Sequence, residues 1–176
     1  DTISLPDALR IRREEVMAQS MIPEEIRRMI QALRYDAHPM GALSAALAAL
    51  STHNPDSKKV GDPEVRRKHI VKLIAMVPVI AACVHRHRYS LPFVGPDSSV
   101  GYVENFMRML WKKMEGRYEA NPVLARALEV LFILHLDHEQ NCSSTAMRTI
   151  GSAKADPYVS MAGAAAALYV PLHGGA

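Results

Sequence analysis

Prolines punctuate this sequence where apolar, helix-periodic runs begin: Pro6, Pro23, Pro39, Pro63 and Pro122 each stand at such a start. A proline in the first turn of a helix loses nothing, because its missing N–H would have no intrahelical partner and its fixed φ already suits a helix. In a central strand the same residue removes a ladder bond. The runs that follow have the 3.6-residue period. Helices are expected over Pro6 to Met17, Pro23 to Tyr35, Met40 to Leu50, Pro63 to about His87, Tyr102 to Lys113, Asn121-Pro122 through Leu136, Cys142 to Ile150, and Tyr158 to Tyr169. In the second, Ile26, Met29, Ile30 and Leu33 share a face. Met40 to Leu50 is almost all Ala and Leu, which predicts close burial against other helices. Pro78 falls inside the long helix and predicts a kink there. Trp111 and the methionines read as core filler. With no run reading as a strand and no internal repeat, the fold class is all-α. An apolar share of 49% with only 6% aromatic residues supports helix over sheet.

The charge balance excludes little but discourages some classes. The net charge is +3, from 21 basic and 18 acidic residues, and no nucleic-acid-reading motif accompanies it, so no nucleic-acid partner is expected. The apolar stretches Met161–Val170 and Val130–Leu134 are too short to span a bilayer, and no membrane partner is expected. Cys83 and Cys142 form no CxxC, which favours a reducing compartment. The start at Asp1 and the Gly-Gly-Ala end suggest a piece of a longer chain.

His135-Leu136-Asp137-His138-Glu139 is the densest polar cluster, closing a strongly apolar helix. His135 and His138, three apart, share a helix face and could converge on one ligand. Three readings stay open: a metal site completed by Asp137 or Glu139, histidines capping a helix C-terminus, or an imidazole site donating to a carbonyl or carboxylate. His173-Gly174-Gly175 allows close backbone approach to a ligand, or simply a helix C-cap loop. His85-Arg86-His87-Arg88 reads either as a phosphate site or as a dipole-compensating helix end, and Lys58-Lys59 with Arg66-Arg67-Lys68 as solvated faces.

Taken together, the stretch Ile133 to Thr145, then Asp156-Pro157-Tyr158, the small-residue helix Met161–Leu168 and Pro171-Leu172-His173-Gly174-Gly175-Ala176 strongly resemble the citrate synthase family in order and spacing. His38-Pro39-Met40, Met76-Val77-Pro78 and Tyr102 to Phe106 extend the resemblance over nearly the whole chain. It implies an all-helical fold in which residues 1–176 form part of the large domain, without the N-terminal region and small domain. It implies an acyltransferase that condenses acetyl-CoA with oxaloacetate to citrate and CoA, in the tricarboxylic acid or glyoxylate cycle, as a homodimer or higher homo-oligomer. His173 would be catalytic, donating to the thioester oxygen. His138 and Asn141 would bind oxaloacetate, with His135 and Glu139 orienting them. No metal and no cofactor is expected, acetyl-CoA being a substrate. The family's catalytic Asp, later Gly-x-Gly-His segment and substrate-binding arginines have no counterpart here, so this chain alone is expected to be inactive. Gln140-Asn141-Cys142-Ser143 is similar to bacterial and peroxisomal members, which points to the cytoplasm, with the mitochondrial matrix or peroxisome as alternatives. Alternatives in activity are a 2-methylcitrate synthase using propionyl-CoA, a citryl-CoA lyase module, or a non-catalytic relative of the fold.

Overall fold

The computed structural model describes residues 4–136 and 139–173, and every regular element among them is helical. The order is α1 (Leu5–Ala18), α2 (Glu24–Ala32), α3 (Pro39–Thr52), a 3₁₀ turn (Pro55–Lys58), α4 (Pro63–Arg88), α5 (Tyr102–Trp111), α6 (Pro122–Leu134), α7 (Cys142–Ser152) and α8 (Pro157–Leu168). Side-chain caps set most of the starts: Asp62 accepts from the Glu64 and Val65 amides, Asn121 from Val123 and Leu124, and Asp156 from Tyr158 and Val159. At α3 the cap is an imidazole, His38 Nδ1 accepting from the Met40 amide at 3.2 Å. Each such bond satisfies an otherwise orphaned amide, worth about 1 kcal/mol.

Helices α2, α3, α4 and α8 enclose the main core, with Ile26, Ile30, Leu47, Leu50, Ile80 and Tyr158 fully buried. By length and composition α4 could cross a membrane. It is instead the central core helix, burying Leu73, Met76, Val79, Ile80 and Cys83. Burial pushes the Cys83 thiol up to about 11, and both cysteines are free.

Pro78 leaves α4 unbroken. The backbone N–H that the Ile74 carbonyl would receive from residue 78 is missing, and the Tyr102 hydroxyl donates to that carbonyl instead, at 2.8 Å. A defect in one helix thus becomes an attachment point for α5. The C-terminus of α5 is also closed from outside. The buried Arg86 guanidinium donates to the carbonyls of Leu110 at 3.0 Å and Lys112 at 3.1 Å, and to that of Pro92. This stops α5 at Trp111 rather than Lys113. It also makes Arg86 a structural clamp, while His87 Nε2–H donates to the Leu33 carbonyl at 2.7 Å. Trp111, expected in the core, is 50% exposed beside this clamp. Helix α2 stops at Ala32, short of Tyr35. The small-residue helix α3 is buried on one face, through Ala42, Ala46, Leu47 and Leu50, and leaves Ala45 exposed.

Small residues set the closest approaches. Ser44 of α3 donates to the Ala162 carbonyl of α8 at 2.8 Å. A Cβ added at Gly163 would overlap the Ile150 side chain of α7. Helix α8 is therefore held between α3 and α7, and this fixes the start of α7 relative to the C-terminal turn.

Candidate functional site

The turn after α8 brings His173 back onto the first residues of α7. The Ser143 amide donates to His173 Nε2 at 3.3 Å, and Ser143 Oγ lies 3.1 Å from the same nitrogen. Ser143 Oγ also donates to Asn141 Oδ1 at 2.8 Å, and that oxygen accepts from the Ser144 amide at 2.8 Å as the α7 cap. Residues 30 apart in sequence thus form one chain, His173–Ser143–Asn141, at a helix N-terminus. An Nε2 that accepts from an amide carries no proton, which places the ring proton on Nδ1 and leaves that nitrogen as a donor.

Beside this group lies a cavity of about 330 Å³ lined by Ser143, Ser144, Met147, Met161 and other apolar residues of α3, α4 and α8. Its walls are almost wholly apolar, with the Ser143 and Ser144 positions as the polar edge. His173 reaches the polar edge of this cavity through its contacts with Ser143.

The other expected site residues are placed differently. His135 caps α6, its Nδ1–H donating to the Leu131 carbonyl at 2.7 Å in an exposed position. Glu139 is exposed, with φ of 56°, a backbone conformation uncommon outside glycine. His138 and Asp137, and the glycines Gly174 and Gly175, lie outside the described residues. Among the described residues no group of three or more His, Cys, Asp or Glu could hold a metal ion.

Sequence reasoning quoted Ser143 but gave it no role. The available signal was its place two residues after the Asn141 cap, where a helix-start amide and a hydroxyl point the same way. A second unforeseen group is buried in the core: His69, fully buried, bonds Tyr158 Oη through Nδ1 at 2.9 Å and faces Asp56 Oδ1 through Nε2 at 3.3 Å.

A family model described as "Citrate synthase, C-terminal domain" matches residues 4–176. The chain is 48% identical over 169 residues to the peroxisomal citrate synthase of Dictyostelium discoideum, covering 92% of this chain and 34% of the relative. It is 41% identical to the citrate synthase of Corynebacterium glutamicum, covering 97% of this chain and 39% of that one. With the glyoxysomal enzyme of Cucurbita maxima it shares 41% identity over 92% of this chain and 33% of the relative. Among solved structures, citrate synthase from Pyrobaculum aerophilum superposes with a TM-score of 0.89 at 30% identity, covering 98% of this chain and 44% of that chain. The chain therefore spans between a third and a half of the length of these relatives.

Proposed function

The chain belongs to the citrate synthase family, and on that premise we propose that it serves as the His173-bearing part of a citrate synthase. The substrates are acetyl-CoA and oxaloacetate, and the products citrate and CoA. The observation that carries this reading is the imidazole of His173 held through Nε2 by Ser143.

In the proposed reaction a carboxylate base takes a proton from the acetyl methyl group. The thioester oxygen gains charge as the enol forms. His173 Nδ1–H donates to it there, so the hydrogen bond is strongest in the transition state. The enol carbon attacks the ketone carbon of oxaloacetate, and hydrolysis of citryl-CoA releases citrate and CoA. Ser143 acts through His173, fixing its tautomer and ring plane. His138 and Asn141 are assigned to oxaloacetate, His135 and Glu139 to orienting that pocket, and the base to an aspartate beyond these 176 residues. We read the chain as part of the large domain of a homo-oligomer. The exposed Ala45 of α3 is the place to test that assembly, because a Cβ added at Gly41 would already stand 3.7 Å from the Tyr169 ring of its own chain. The relatives, peroxisomal, glyoxysomal and bacterial, support a bacterial or peroxisomal type, placed in the cytoplasm or the peroxisome. Their names favour acetyl-CoA over propionyl-CoA.

The test follows thiol release in the full-length enzyme. His173→Ala should lower kcat by about two to three decades with little change in substrate KM, as for loss of one oxyanion donor. An unchanged kcat would remove His173 from the mechanism. Equal rates with propionyl-CoA would move the assignment to 2-methylcitrate formation, and turnover by residues 1–176 alone would refute the outside base.

A further inference from the structure

Helices α3 and α8 lie side by side in one antiparallel register. At one end Ser51 Oγ donates to Asp156 Oδ2 at 2.8 Å, and in the middle Ser44 Oγ donates to the Ala162 carbonyl at 2.8 Å. At the other end the His38 and Tyr169 rings meet, their centroids 4.5 Å apart and their planes tilted by 36°, within the range of favourable ring pairs. The steps between these contacts are seven and six residues on α3, and six and seven on α8. Each is close to two helical turns, so one stripe of each helix makes all three contacts. Asp156 is the N-cap of α8 and Tyr169 its C-cap. The seam therefore grips α8 at both caps, and its last contact opens the turn that leads to His173.

His38 presents a fixed surface. Its ring is held as the α3 cap, Nδ1 accepting from the Met40 amide at 3.2 Å. Its backbone is extended, with φ of −63° and ψ of 131°, the conformation that a following proline favours. Beyond it the turn is closed by its own backbone, Tyr169 N–H donating to the Ala166 carbonyl at 3.1 Å and His173 N–H to the Val170 carbonyl at 3.2 Å. Val170, Pro171 and Leu172 are exposed. The turn is thus anchored at its two ends, by the Tyr169 ring on His38 and by the His173 imidazole on Ser143.

The Ser143 contacts, 3.3 and 3.1 Å long, hold the imidazole only where the turn presents it. A reacting group misplaced by about 1 Å can lose about two decades of rate. We propose that His38 and Tyr169 are a positioning pair for His173. Their ring contact fixes the start of the turn, and through it the direction of the Nδ1–H that donates to the thioester oxygen. Neither ring touches substrate in this role. The proposal rests on the assignment of His173 as that donor, and extends it by making the N-terminus of α3 part of the machinery.

In the full-length enzyme Tyr169→Ala should lower kcat about tenfold, with the KM for each substrate little changed. His38→Asn keeps an N-cap acceptor while removing the ring, and should lower kcat in the same way. Tyr169→Phe and Tyr169→Trp retain an aromatic face and should keep kcat near that of the parent. A double-mutant cycle with His173→Ala separates positioning from general loosening. With the imidazole gone there is nothing left to position, so Tyr169→Ala should then cost no further rate. Circular dichroism and size-exclusion chromatography establish that each variant keeps its helices and assembly. Unchanged kcat in either Tyr169→Ala or His38→Asn would overturn the pair. An equal loss with and without His173 would overturn it as well, since a merely structural contact behaves that way. An unchanged kcat in His173→Ala alone would instead remove the assignment on which the pair rests.

Discussion

Helices α6 and α8 begin alike and finish in opposite surroundings. Each has a capping Asx side chain, then proline, then a short and mostly apolar run, 13 residues in α6 and 12 in α8. Helix α8 buries Tyr158, Ser160, Ala162, Ala164 and Ala165, whereas α6 buries Ala125 and leaves Leu124, Leu131, Phe132, Ile133 and Leu134 exposed. Side-chain size explains part of the contrast. The Ala, Gly and Ser surface of α8 lets two helices approach until a serine reaches a neighbouring backbone carbonyl. The large side chains of α6 need a matching surface, and α5 supplies only part of one, with Phe106 and Phe132 rings 6.2 Å apart. An apolar period therefore specifies that a helix forms, and not what covers it.

The largest expected difference between the two regions is in truncation. In the 176-residue chain Ile80→Ala, in the core that α8 helps enclose, should cost about 2–5 kcal/mol in urea unfolding. Leu131→Ala, on a residue 49% exposed, should change stability by about 0.5 kcal/mol or less. Equal losses would mean that α6 is as covered as α8.

A second difference is in pH response. His69 ties α4 to Tyr158 of α8, and burial pushes its imidazole below the ordinary 6.5, with Asp56 pulling the other way. The unfolded chain then binds a proton that the folded chain resists. Stability present above pH 6.5 should fall as pH drops below it and level off below the folded value, with a slope of at most about 1.4 kcal/mol per pH unit. His69→Gln should flatten this part of the curve of unfolding midpoint against pH. Parallel curves for the two proteins would exclude His69 as the origin. No titrating group of α6 is buried in this way among the described residues.

The smallest effect concerns the attachment of α5, and through it α6, to the core. Tyr102→Phe removes the donor to the Ile74 carbonyl and should cost about 1 kcal/mol. In a Pro78→Ala background the loss should shrink, because residue 78 then supplies its own N–H to that carbonyl. A double-mutant cycle of unfolding free energies measures the coupling. A coupling of zero would separate Tyr102 from the proline.

The helices and most of their starts were legible in the sequence, because caps, prolines and apolar periods act within a few residues of each other. The ends were less so. Helix α5 stops where Arg86, 24 residues before Leu110, takes over its carbonyls, and no local pattern announces a clamp supplied from another helix. Trp111 was misread for the same reason: aromatic character favours burial, but a place beside a polar clamp leaves the ring half exposed. The family was legible in the motifs from His135 onward, and His173 among them.

Local chemistry by itself therefore determined the all-α class, the capped helix starts and the residues that identify the family. Only the tertiary structure decided which apolar helix is covered, that Ser143 meets the imidazole of His173, and that His38 meets the ring of Tyr169. The physical reason is range. Capping and periodicity are settled by hydrogen bonds and side-chain spacing within a turn or two, whereas burial and convergence depend on how closely separate helices can approach, which small residues far apart in the chain decide together.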